Sequence, residues 1–99
     1  MNAADFVKVP VDATPPPGLT GPLLGLWLAG RGDWEAAHDA VRLDESTAAA
    51  WVHAHLHRIE GDLDNARYWY GQARRPYTTE PLEAERAKIA ATLIEDLSP

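Results

Sequence analysis

The 99-residue chain contains no cysteine. That absence removes disulfides, thiolate metal sites and cysteine nucleophiles together, and it fits a reducing compartment. Basic residues are scarce as well: nine Lys and Arg against fifteen Asp and Glu leave a formal charge of −6. Phosphate binding needs a concentrated positive surface, so nucleic acid is not expected as the main partner. The one local basic group, Arg67, Arg74 and Arg75, is set among Asp62, Asp64 and Glu80. No uninterrupted run of about 18 apolar residues occurs, so no membrane-spanning helix is expected. The N-terminal stretch lacks the charged-then-apolar order of a signal peptide, and the expected location is the cytoplasm. Gly18, Gly21 and Gly25 lack the preceding strand and the lysine of a phosphate-binding loop. Strand signals are essentially absent.

What remains is a composition of 45% hydrophobic and 24% charged residues, ordinary for a globular domain and sufficient at this length for one. A chain so short leaves much of its surface exposed, a shortage that pairing with a second copy, as a homodimer, would relieve. Residues 1–17 carry Pro10 and the run Pro15-Pro16-Pro17, which predicts an extended arm or tail. In it Phe6, Val7, Val9 and Val11 could dock on the domain or on a neighbouring copy. Residues 18–99 form the expected helical domain.

Its punctuation predicts five helices. Thr20 caps the first, with Pro22 in its opening turn, and Gly30-Arg31-Gly32 stops it. Asp33 caps a second through about Leu43, with Trp34, Ala37 and Val41 inward. Ser46 or Thr47 opens a third, running to Glu60 and ended by Gly61. Asp62 caps a fourth to about Arg75, with Leu63, Ala66, Tyr70 and Ala73 inward. A fifth runs from near Pro81 to about Asp96 on a stripe of Leu82, Ile89, Leu93 and Leu97. Short turns between helices imply antiparallel neighbours, so the expected class is all-α, built from helical hairpins.

Gly32-Asp33-Trp34-Glu35-Ala36-Ala37 echoes Gly61-Asp62-Leu63-Asp64-Asn65-Ala66, a repeated helix–turn–helix unit. In its second copy Gly61, Asp62, Ala66, Tyr70, Ala73 and Pro76 resemble a tetratricopeptide-type repeat. The spacing between the Gly-Asp pairs is shorter than that family's repeat of about 34 residues. The resemblance therefore implies a pair of hairpins without a superhelical array. The block from Trp51 to Tyr70, with its HAxLHRxEGDxxNAxYWY-type core, also resembles a family of small microbial helical proteins. That resemblance implies where the function lies and brings no activity with it.

Three of the four histidines fall in the third helix. At about 100° per residue, Ala49, Val52, Leu56 and Ile59 make a buried stripe, and His53, His57 and Glu60 share one flank of it. His53 and His57 are an i, i+4 pair whose side chains can reach one metal ion or one anion. His55 lies on the other flank and is expected to be a bystander. His38, on the second helix, approaches this pair if the two helices are antiparallel. Three imidazoles and Glu60 would then suit zinc or another borderline divalent ion, or proton transfer near neutral pH. The plainer reading makes His38, His53, His57, Arg58 and Glu60 a structural polar network.

Tyr70 points inward, whereas Tyr68, Trp69 and Trp51 lie off the buried stripes and are candidates for an interaction surface. Packing against the fifth helix or the N-terminal arm would account for them equally. The leading functional expectation is a non-enzymatic module that self-associates or binds a protein partner. The alternative is a metal-dependent or histidine-based site, able to support hydrolysis.

Overall fold

The computed structural model of the chain describes Phe6 and residues 14–96. Among the described residues there are five α-helices of eight residues or more and no strand: α1 (Gly21–Gly30), α2 (Trp34–Val41), α3 (Thr47–Glu60), α4 (Leu63–Ala73) and α5 (Leu82–Asp96). The fold is all-α, and its boundaries follow local chemistry. Asp33 accepts a hydrogen bond from the Ala36 amide at 3.2 Å, Ser46 from the Ala49 amide at 3.1 Å, and Asp62 from the Asn65 amide at 3.3 Å. Each cap satisfies an amide that the first helical turn leaves without an intrahelical acceptor. Gly61 closes α3 in the left-handed conformation, at φ 85°, and lets the Asp62 amide bond back to His57 O at 2.9 Å.

Thr20 departs from expectation. It stands at the start of α1, but its side chain makes no capping bond. Pro22 occupies one of the two positions whose amide a capping side chain would reach, and proline has no N–H to offer. Helix α2 ends at Val41, short of the expected Leu43, which is exposed in the following turn.

Two hairpins, α1–α2 and α3–α4, pack together with α3 at the centre, and α5 closes the assembly against α1 and α3. Helix α3 touches all four others, and every residue from Ala49 to His57 is buried. A helix covered on all sides has no solvent face, so its sequence does not sort into an inner stripe and outer flanks. Trp51, expected at the surface, is therefore buried, with the Arg75 guanidinium 4.0 Å above its ring. Conversely Ile59, Leu63 and Leu82, expected inward, are exposed. They stand near helix ends, where Ile59 and Leu82 line an open pocket with Ala29 and Arg86.

Most of the expected extended arm, residues 1–5 and 7–13, lies outside the described residues, as does Leu97. Phe6 is helical and buried, with Arg86 over its ring at 5.5 Å. The Arg86 guanidinium also donates to Leu26 O at 3.2 Å and lies directly against Gly30 at the end of α1. A methyl group at Gly30 would overlap that guanidinium. Gly30→Ala is accordingly expected to lower stability by about 1–3 kcal/mol, the range for overpacking, as read from urea denaturation. A stabilised Gly30→Ala protein would show that Arg86 does not need this close approach.

Candidate metal centre

Helices α2 and α3 bring three imidazoles together. His38 comes from the middle of α2, and His53 and His57 from successive turns of α3. His38 Nε2 and His53 Nε2 are 2.9 Å apart, and one ring nitrogen from each of the three residues lies within 4.8 Å of the others. Tetrahedral zinc with Zn–N bonds of about 2.0–2.1 Å places its nitrogen ligands roughly 3.3 Å from one another. Small rotations of the rings span that difference, so the group could hold one metal ion. His53 and His57 are buried and His38 is half-buried.

Two tryptophans fix the rings. Trp34 stacks on His38 at 4.9 Å between centroids, with planes 9° apart, and its indole N–H donates to Leu56 O at 2.7 Å. That bond ties α2 to α3 at the residue that precedes His57. Trp69 of α4 stacks on His53 at 3.8 Å, with planes 11° apart. The echoed Gly-Asp turns thus set the two clamps: Trp34 follows the first Gly-Asp pair directly, and Trp69 lies two turns into the helix that the second begins.

Glu60 completes the group. His57 Nδ1 donates to Glu60 Oε1 at 2.6 Å, which leaves the lone pair on Nε2. An imidazole held by a carboxylate in this way has a fixed orientation and a more basic second nitrogen, the arrangement common around bound metals. Burial, reinforced by neighbouring imidazoles, pushes His53 down to about 4 and lowers His38 below its ordinary value. Both rings are neutral at pH 7, and one Nε2–H donates to the other ring's Nε2 across the 2.9 Å contact, a bond that a cation taken by both rings would replace.

Of the candidates from the sequence, His38, His53, His57 and Glu60 therefore meet, and Arg58 does not join them. It faces a second network, centred on a buried carboxylate. Glu85 of α5 accepts from Arg58 Nη1 at 2.9 Å, from His55 Nδ1 at 2.7 Å and from the Tyr70 hydroxyl. Arg58 also donates to Glu80 O at 2.5 Å. His55 is no bystander, since both it and Glu85 are 1% exposed. Its place follows from the burial of α3 on every side.

Glu85 and Arg86 went unnoticed in the sequence, although they carried a signal. They occupy the positions between Leu82 and Ile89 where the stripe of α5 should be apolar, and charged residues on a core face require partners. Of the three aromatics expected at the surface, Trp51 is in the core, Trp69 covers His53, and Tyr68 is 57% exposed. No family model, no curated protein and no solved structure matches the chain.

Proposed function

We propose that the chain binds one divalent ion of the zinc class through His38, His53 and His57, with Glu60 orienting His57. The observation carrying this is the convergence of three imidazole nitrogens within 4.8 Å, drawn from two helices. Imidazole ligands suit zinc and its borderline neighbours, and the absence of cysteine removes the softer alternatives. Three protein ligands leave a fourth position for water or substrate, the composition of catalytic rather than structural zinc sites. Water held there would be activated for attack, so metal-assisted hydrolysis is the chemistry this centre would support. Two of the ligands, Glu60 and the covering Trp69 lie in the Trp51–Tyr70 block that resembles small microbial helical proteins. That coincidence supports placing the function here.

The test is elemental analysis of untagged protein purified without chelator, beside a His53→Ala/His57→Ala control. Near-stoichiometric metal that disappears in the control is the expected result. Metal in neither protein, with helicity equal, would sink the proposal. Glu60→Gln keeps the shape of the side chain but withdraws the charged acceptor from His57. It is expected to weaken zinc affinity about 10- to 100-fold, as measured by competition against a chromogenic chelator. An unchanged affinity would place Glu60 outside the centre.

The interaction-module reading retains one observation. Tyr68 and Leu43, both exposed, line a groove with Trp69 and Gln72 beside the α2–α3 turn. If that groove supports self-association, a Tyr68→Ser/Leu43→Ser protein elutes later from a sizing column than the parent. Identical elution at all concentrations removes this self-association version.

A further inference from the structure

The three-histidine centre has a neighbour that shares one of its ligands. His57, Glu60 and Asp62 form a second convergent group, again with ligand atoms within 4.8 Å of one another. His57 is 5% exposed, while Glu60 and Asp62 reach the surface. His57 therefore belongs both to the buried three-imidazole group and to a group with two exposed carboxylates. Nδ1 faces the carboxylate side, since it donates to Glu60 Oε1 at 2.6 Å. Resting on the metal-centre reading above, we propose that His57 bridges two metal ions: one held with His38 and His53, the second held at Nδ1 with Glu60, Asp62 and water.

The chemistry of the second group fits a borderline divalent cation. One imidazole nitrogen and two carboxylates form a mixed ligand set of the kind that zinc and copper(II) accept. Asp62 spends one oxygen on its helix cap, to the Asn65 amide at 3.3 Å, and has another for a cation. Binding exchanges one bond for another. The Nδ1–H proton that Glu60 now accepts leaves to solvent, the metal–Nδ1 bond takes its place, and the ring becomes a singly negative imidazolate. Ions on opposite nitrogens of one ring would stand about 6 Å apart, given metal–nitrogen bonds of about 2.0–2.1 Å on each side. No oxidation or reduction is involved.

Copper(II) provides the test, because two copper ions joined by an imidazolate couple antiferromagnetically and lose electron paramagnetic resonance intensity. The full chain is titrated with copper(II) sulfate. The expected result is two equivalents bound, with a full single-copper signal at the first and a falling signal at the second. Asp62→Asn keeps a good helix cap and should bind one equivalent with its full signal. His53→Ala should lose the coupled state while keeping its helicity. One equivalent in the parent protein, lost in His53→Ala, would overturn the bridge and leave the three-histidine centre standing. Two equivalents with undiminished signal would also overturn the bridge. No bound copper or zinc in the parent would overturn both.

Discussion

Replacing Glu85 with alanine is expected to remove about 3–5 kcal/mol of stability, the range for stripping one partner from a buried ion pair. Glu85 is 1% exposed and accepts hydrogen bonds from two elements other than its own: His55 and Arg58 of α3, and Tyr70 of α4. Burial alone would raise its pKa, but the donors around it outweigh burial and hold the carboxyl below the ordinary carboxylate range. It is therefore an anion at neutral pH, and it balances the charge of Arg58, whose side chain is 9% exposed. In Glu85→Ala that cation has no counter-charge, and the His55 N–H and Tyr70 O–H lose their acceptor. Each orphaned donor adds about 1–3 kcal/mol of desolvation cost, although the sum is not additive.

Urea denaturation at pH 7 measures the loss, and a change below about 1 kcal/mol would mean that the network does not hold α5 to the α3–α4 hairpin. A paired replacement, Glu85→Met/Arg58→Met, should recover much of the stability, because two apolar side chains of similar length leave no unpaired charge. Failure of that recovery would indicate that the remaining donors, His55 and Tyr70, dominate. Either way the network sits on the opposite side of α3 from the metal ligands, so these proteins separate folding effects from metal binding.

The second large effect is acid lability between pH 6.5 and pH 4. Folding lowers the His53 pKa from 6.5 to about 4, chiefly by burial and then by the nearby His38 and His57. In the unfolded chain the imidazole takes its proton as pH falls through 6.5, whereas in the fold it resists until about 4. Between those values the unfolded state binds more protons, so stability falls as pH falls and levels off below the folded pKa. A shift of this size corresponds to about 3 kcal/mol at 1.36 kcal/mol per pKa unit, and the lowered pKa of His38 acts in the same direction. Glu85 contributes in a lower window, because its stabilisation is lost only as pH falls through a carboxyl pKa already below 4.5.

Urea midpoints measured at pH 7, 6, 5 and 4.5 read the histidine window before the carboxylates enter. The parent protein should lose stability steadily across that range, and His53→Gln, which has no proton to gain, should lose less. Equal slopes in the two proteins would remove His53 as the cause. Metal adds a check on the proposed centre, because a cation competes with protons for the same lone pairs. Zinc at 100 times its dissociation constant should restore about 2.7 kcal/mol at a given pH, provided that it binds the folded state alone.

The helices could be read from the chain, because what starts and stops them is local. Ser46 caps α3 and Gly61 ends it, while Asp33 and Asp62 cap α2 and α4, all within a few residues of the amides and carbonyls they satisfy. The shared flank of His53, His57 and Glu60 was equally legible, since helical rotation alone places residues separated by three or four positions side by side. Whether His38 meets His53 was set by packing, since it depends on how α2 is rotated against α3. Packing also decided that His55 and Trp51 are buried. A periodicity argument assumes one face toward water, and α3 has neighbours on every side. Glu85 and its partners in α3 lie 27 and 30 residues apart. Local rules have no reach over that distance, and a buried charge reveals its partners only after the helices have packed.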